Sequence, residues 1–132
     1  MKRIFVVLCL IYFNTFLIAQ NQNLSNGFVF DGEPYITINP NNSQHLVVAW
    51  MGYKFNNILV INTRVSFDAG ATWSTKNSIP HTMNGYQSAD PSMSFDNNGN
   101  LYLCFIDYTP NPAAGAVYVI KSTDGGLNWG AP

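Results

Sequence analysis

The sequence predicts an all-β protein built from antiparallel strands. Short apolar runs, some alternating and some continuous, are separated by clusters of Asn, Gly, Pro and Ser, which is typical of strands joined by turns. No stretch carries helical spacing long enough to compete, and the strand pattern occurs twice. The chain has 132 residues, of which 47% are hydrophobic and 14% aromatic. This composition suits one small globular domain with an apolar core.

The first residues have the features of a targeting segment. Lys2 and Arg3 precede an apolar run over residues 4–12, and Ala19 provides a small residue at a cleavage position. We therefore predict a signal peptide over residues 1–19, followed by a lead-in over residues 20–32, and a secreted, extracellular or cell-surface location. A membrane anchor is the alternative, but Asn14 interrupts a run already shorter than the ~20 apolar residues of a span.

Charge and cysteine content narrow the range of partners. The formal net charge is -1 and only 10% of residues are charged, so nucleic acid is not an expected partner. Beyond residue 19 one cysteine remains, Cys104, inside the apolar run 101–106. A thiol in such a run is expected to be a small core residue rather than a nucleophile.

Two copies of one strand pattern follow the lead-in. Glu33–Pro40 and His45–Trp50 align with Asp90–Asp96 and Leu101–Ile106, and the prolines at positions 34 and 91 lie 57 residues apart. We assign the first copy to residues 33–89 and the second, incomplete copy to residues 90–132. The third strand is predicted at 58–65 and 116–121, and a fourth follows in the first copy near 74–79.

Each copy contains a polar octet after its third strand, Ser66–Trp73 and Ser122–Trp129. Both follow the pattern Ser-x-Asp-x-Gly-x-Thr-Trp, except that Asn128 stands where the pattern has Thr. This motif resembles the Asp-box, or BNR repeat, of the sialidase (neuraminidase) superfamily. The resemblance implies antiparallel four-stranded β-propeller blades, about two in this chain, forming an incomplete sialidase-like propeller. The implied structural residues are Ser66, Asp68, Gly70, Thr72, Trp73, Ser122, Asp124, Gly126 and Trp129.

The octets are explained by turn formation. A short carboxylate such as Asp68 can accept backbone N–H bonds, and Gly70 can take a positive φ. A motif present once per sheet is scaffolding rather than a catalytic centre. The segment 96–100 resembles a calcium loop, but Gly99 does not fit EF-hand spacing and a hairpin turn explains it better. We therefore predict no metal site and no cofactor.

Antiparallel four-stranded blades would place the octets and the turns between first and second strands at one end. The loops between second and third strands and between the blades would lie at the opposite end. At that opposite end we expect candidate ligand contacts, with His81 and Tyr86 nearby in the connector between the copies. The alternative is that Glu33-Pro34 and Asp90-Pro91 only fix the entry of each first strand. The candidate contacts are Glu33, Lys54, Asp90, Asp107 and Tyr108.

Sialidases use an arginine triad, a Tyr nucleophile paired with Glu, and an Asp acid/base. In this chain Glu33 precedes Pro34 where the family carries an Arg-Ile-Pro motif, and its charge would repel a sialate carboxylate. Arg64 is the one arginine beyond the signal segment. No catalytic residue is carried over.

The resemblance implies a secreted sialidase-like propeller fragment that itself lacks catalysis, from a carbohydrate-active, exo-α-sialidase-like parent. If that parent is an enzyme, it is a sialidase-like glycoside hydrolase. The alternative is a non-catalytic secreted or surface propeller that binds glycan or protein. Expected partners are a glycan or glycoprotein, and either further blades or other copies joined through open sheet edges. No stable membrane span is expected.

Overall fold

The structure is a computed structural model that describes residues 21–27, 30–54 and 58–131. The predicted signal peptide over residues 1–19 lies outside the described residues. Within the described ranges, no helix is long and apolar enough to cross a membrane.

In the described part of the chain, seven strands form two antiparallel sheets, and within each sheet every strand pairs with its neighbour in sequence. The result confirms the all-β prediction, and sheets of four and three strands are consistent with blades of an incomplete propeller. The first sheet contains β1 (Asp31–Asn39), β2 (Asn42–Tyr53), β3 (Leu59–Ser66) and β4 (Asn77–Ser78), and the second contains β5 (Gln87–Phe95), β6 (Leu101–Pro110) and β7 (Ala113–Ser122).

The fourth strand is shorter than the sequence suggested. It pairs with β3 only through Ser78 opposite Asn62 and Asn77 opposite Thr63. Before it, the Ser74 N–H donates to the Val65 carbonyl at 2.8 Å, and the Val65 N–H donates to the Ser74 hydroxyl at 3.0 Å. Because the Ser74 side chain occupies a ladder position there, regular pairing begins only at residue 77.

The first strands of the two sheets, β1 and β5, contain the same irregularity. The register shifts between Gly32 and Tyr35 in β1, and between Ala89 and Ser92 in β5. At these points Glu33 has φ 50° and Asp90 has φ 56°, a conformation that non-glycine residues seldom adopt. The strands also begin earlier than predicted, at Asp31 and Gln87, because pairing continues past each bulge.

The core lies between the two sheets. One cluster of buried apolar side chains joins alternate residues of β2 and β3 to alternate residues of β5, β6 and β7, and Trp129 packs against it. A period of two is expected when one face of each strand is buried. The buried members are Val47, Ala49, Met51, Ile61, Val65, Ile79, Met93, Leu101, Leu103, Phe105 and Ile120.

Hydrogen bonds also join the sheets beside the octets. His45 Nε2 lies 2.8 Å from the Gly125 carbonyl, and the Asn39 amide lies 3.0 Å from His45 Nδ1. Since the Asn39 amide donates, Nδ1 accepts and the Nε2–H is directed to Gly125. The Asn41 amide adds a bond to the Asn97 carbonyl at 2.9 Å. His45 is therefore a structural link between the copies.

The register shows that the second strands of the two copies are offset by one residue from the sequence alignment. Leu46 lies opposite Ser66, whereas Leu101 lies opposite the equivalent Ser122. Leu46 therefore corresponds to Leu101 rather than to Tyr102. The sequence gives a different match because seven residues separate the paired Ile38 and Leu46, where the register of the first hairpin shifts, whereas five separate the paired Phe95 and Leu101.

The two octet glycines give a matched test of packing between the sheets. Gly126 (φ 96°) has Leu101 Cδ2 and Val65 Cγ2 at 3.2 Å from the position of an added Cβ, whereas Gly70 (φ 88°) has its nearest neighbour at 3.6 Å. Both substitutions to alanine bear a left-handed backbone cost of ~1–2 kcal/mol. We expect Gly126→Ala to lose a further ~1–3 kcal/mol through overpacking.

Urea denaturation of Gly126→Ala and Gly70→Ala measures this difference in the free energy of unfolding. Gly85→Ala provides the baseline, because Gly85 has φ 81° and nothing within 4 Å of an added Cβ. Equal losses for the two octet variants would contradict the tight packing at Gly126.

Candidate functional site

The two ends of the sheets carry different kinds of residue. The octets lie at the end where the β1–β2 and β5–β6 hairpins turn, since Ser66 pairs with Leu46 and Ser122 with Leu101. We name this the box end. The opposite end, the connector end, carries the β2–β3 loop, the connector 79–86 and the β6–β7 turn. This arrangement agrees with the topology expected from the sequence.

The first octet is a closed hydrogen-bond network. The Ser66 hydroxyl donates to Asp68 Oδ1 at 2.8 Å and accepts the Gly70 N–H at 2.8 Å. The Thr72 hydroxyl and N–H both donate to the Asp68 carboxylate, at 2.6 and 2.8 Å. These bonds from Thr72, and then the one from Ser66, lower the pKa of Asp68 to about 2. The carboxylate therefore holds the turn together.

The second octet forms the same network with a different donor. The Ser122 hydroxyl donates to Asp124 at 2.8 Å and accepts the Gly126 N–H at 2.8 Å. Asn128 then donates its N–H at 2.9 Å and its side-chain amide at 2.7 Å to the two Asp124 oxygens. Asn128 thus replaces both bonds made by Thr72, which explains why the pattern tolerates the departure.

The two octet tryptophans leave their turns in the same way but have different indole partners. The Ser74 N–H donates to Val65, and the equivalent Gly130 N–H donates to Lys121, both at 2.8 Å. Trp73 Nε1 donates to the Gly70 carbonyl at 3.1 Å. The Trp129 indole instead lies 3.4 Å from Thr63 Oγ1 of the neighbouring sheet. Only the second tryptophan contributes to the contact between sheets.

The segment 96–100 is a hairpin turn. The Asn98 and Asn100 N–H groups donate to Asp96 Oδ1 at 2.9 and 2.8 Å, and the Asn100 amide donates to Oδ2 at 2.6 Å. Asn100 is the main cause of the lowered pKa of Asp96. Across the described ranges, no group of three or more His, Cys, Asp and Glu residues is placed to hold a metal ion.

At the connector end, Glu33 and Asp90 from the two first strands lie side by side. The Asp90 N–H donates to Glu33 Oε2 at 3.2 Å. Both residues are exposed. A hydrogen bond with the Asp90 side chain, then burial and the charge of Asp90, raise the pKa of Glu33. The structure therefore brings these two predicted contacts together as an acidic pair.

Asp107 differs from the prediction of an open ligand contact, because it is completely buried. It accepts the Thr82 N–H and hydroxyl, both at 2.6 Å, and the Ser88 hydroxyl at 2.9 Å. His81 Nδ1 lies 2.9 Å from its Oδ1. Burial raises the pKa of Asp107, but the bonds from Thr82 and His81 outweigh it and lower the pKa overall. Asp107 is a positioning residue that fixes the connector.

His81 is oriented by this buried carboxylate. With its Nδ1–H directed to Asp107, the neutral ring leaves Nε2 as an acceptor. Nε2 is buried and has no hydrogen-bond partner among the described residues, while the side chain as a whole is 16% exposed. A carboxylate behind one ring nitrogen sets the tautomer at the other. The connector therefore presents an oriented imidazole with one unpaired nitrogen.

A cavity of about 320 Å³ lies beside this imidazole. That size is at the lower end of the range for small-molecule sites. Of the predicted contacts, Lys54 lines this cavity. Tyr108 does not line it, because it lies on β6 opposite Gln87 of β5, where it is half-buried. The lining residues are Lys54, Ile58, His81, Thr82, Met83, Asn84 and Gly85.

No protein-family model and no curated protein matches the chain.

Asp107 gives a test of how the site is held in place. Asp107→Asn keeps the side-chain volume but replaces one acceptor oxygen by an amide NH₂ donor. Thr82 bonds to one oxygen and His81 with Ser88 to the other, so one of these two sets of donors loses its acceptor in a buried place. We expect a loss of ~2–4 kcal/mol in the free energy of unfolding. Ser88→Ala removes one donor and leaves the others, so its loss should be ~1 kcal/mol. Chemical denaturation measures both, and a negligible effect of Asp107→Asn would contradict the role given to it.

Proposed function

We propose that this chain is a pair of blades from an exported, sialidase-like propeller, and that its connector end binds a glycan without hydrolysing it. The two octets with matching networks, and the two sheets that follow one pattern, support the propeller assignment. The features of residues 1–19 support export. Glycan binding rests on the geometry of the connector end.

One contrast carries the binding proposal. At the box end, the Ser and Asp side chains of the octets are hydrogen-bonded within their own turns. At the connector end, Glu33, Asp90 and Lys54 are exposed, and Lys54 and His81 line a cavity of about 320 Å³. A concavity with a few polar side chains in its lining is the usual setting for a polar ligand.

These groups suit a ligand rich in hydroxyl groups. The Glu33 and Asp90 carboxylates accept hydrogen bonds, and the Lys54 ammonium donates them. Sugar hydroxyls can serve as donor or acceptor, so they can pair with either kind of group. The paired acidic residues disfavour a sugar that carries its own carboxylate, because like charges repel. Neutral or N-acetylated sugars are therefore the proposed ligands.

The same geometry argues against hydrolysis by this chain. Glycosidases place a pair of carboxyl groups ~5 Å or more apart, one on each side of the bond that is cleaved. Glu33 and Asp90 instead contact each other, which leaves no room for a sugar between them. Arg64, the one arginine in the described residues, lies on β3 two residues before the first octet, so an arginine triad is not assembled there.

Binding can be tested with immobilised oligosaccharides that end in galactose, N-acetylglucosamine or sialic acid, followed by calorimetry on those retained. We expect a neutral or N-acetylated glycan to bind. Lys54→Gln and Glu33→Gln should each weaken that binding about tenfold, since each removes a charge-assisted hydrogen bond of ~1.5 kcal/mol or more. Lys76→Gln, an exposed position that follows the first octet, is the control and should leave affinity unchanged. Absence of binding to every probe would refute the proposal.

Hydrolysis can be tested separately with a fluorogenic aryl sialoside. We expect no release of the fluorophore above the rate in buffer, because this chain does not assemble the arginines that would hold the sialate. Release that disappears in Glu33→Gln would show that the acidic pair is catalytic, and would replace the binding proposal with a hydrolase.

A further inference from the structure

We infer that the chain joins a second copy of itself face to face, with the outer face of the second sheet packed on the outer face of the first sheet of the partner copy. The outer face of the second sheet is defined by Tyr102, Cys104, Ile106, Val117 and Val119, and the outer face of the first sheet by Ile36, Ile38 and Leu46. The inference rests on the internal repeat and does not depend on glycan binding.

A comparison of the third strands, β3 and β7, shows which face of the first sheet is equivalent to the outer face of the second sheet. With Ser66 matched to Ser122, Val117 corresponds to Ile61 and Val119 to Thr63. Ile61 and Thr63 are both 0% exposed because the second sheet covers them, whereas Val117 is 67% and Val119 is 59% exposed. Positions that are buried in one copy of the repeat are therefore apolar and open in the other.

A comparison of the second strands, β2 and β6, gives the same result. With Leu46 matched to Leu101, Cys104 corresponds to Ala49 and Ile106 to Met51. Ala49 and Met51 belong to the core between the sheets, while Cys104 and Ile106 are only half-buried. The second sheet covers one face of the first sheet, and that face is apolar. The outer face of the second sheet is its equivalent in the repeat and is apolar as well. Contiguous exposed apolar side chains of this kind mark interaction surfaces.

The outer face of the first sheet supplies the complementary surface. With Pro34 matched to Pro91, Ile36 corresponds to Met93, the side chain that the second sheet inserts into the core. Ile36 is 57% exposed, and Met93 is 3% exposed. Ile38 is likewise 56% exposed, whereas its equivalent Phe95 packs against the core cluster.

The chain therefore contains one joint between its sheets and leaves free the two faces that would form a second joint of the same kind. A contact between these two different faces is heterologous, and such contacts close into rings or extend into filaments. Residues 22–25 line one cavity together with Val48 and Trp50, whereas Ile36 and Ile38 are exposed, so β1 provides the docking area. Lys121, whose Nζ lies 5.5 Å from the Tyr102 ring centroid, sits at the polar rim.

Two charge substitutions at exposed positions test this arrangement in the full chain. Val119→Glu blocks the outer face of the second sheet, and Ile36→Glu blocks the outer face of the first. We expect the unsubstituted chain to show concentration-dependent oligomers in sedimentation velocity, and each variant alone to be a monomer, with self-association weakened at least tenfold. A one-to-one mixture should form a heterodimer, because each variant retains the face that the other has lost.

Matched controls separate the blocked face from general effects. Val119→Thr keeps the shape and should still associate, and Lys76→Glu changes charge away from both faces and should behave as the unsubstituted chain does. Circular dichroism confirms that every variant is folded.

Three results would each overturn the inference. The first is an unsubstituted chain that is monomeric at every concentration. The second is loss of association in Val119→Glu but not in Ile36→Glu, which indicates a two-fold contact between identical faces. The third is persistence of association in both variants, which indicates strand pairing at a sheet edge.

Discussion

The structure depends on burial of one face of each sheet against the other. Val47, Ala49 and Ile61 of the first sheet are fully buried only because Leu103 and Phe105 of the second cover them. A lone sheet of three or four short strands would expose this apolar area to water, and its hydrophobic stabilisation would be lost. The register of each strand follows, because a slip by one residue would move every apolar side chain to the opposite face.

Each octet forms a local corner that recurs in both sheets and helps to stack one sheet on the other. Each closes a turn through a carboxylate that gathers N–H and hydroxyl donors, and each directs the chain back along its own sheet. His45 then ties the first sheet to the carbonyl of Gly125 in the second octet. The corner thus also sets how one sheet meets the next, which is why Gly126 sits against side chains of both sheets.

The sequence was a good guide where structure is determined locally. Strand alternation and the octet residues predicted both sheets, the turns at Asp68 and Asp124, and the end at which each loop lies. The offset between Leu46 and Leu101 was not predicted, because it depends on how many residues each hairpin contains rather than on hydrophobicity. Burial of Asp107 was missed because a carboxylate at a strand end is usually exposed. The connector lining has no periodic signal, so only Lys54 and His81 stood out.

The sequence left two interpretations open for Glu33 and Asp90, which are fixing the entry of each first strand and contacting a ligand. A left-handed residue before proline is unfavourable on two counts, yet it occurs at Glu33 and at Asp90 alike. Since the bulge recurs in both copies with a different acid, the backbone feature belongs to the repeat and fixes the entry of the first strand of each sheet. The side chains are a separate matter. Strand entry does not require two carboxylates in contact, and their mutual repulsion works against folding. Strand entry therefore accounts for the bulge but not for the paired carboxylates, and this difference favours the proposed ligand site over packing alone.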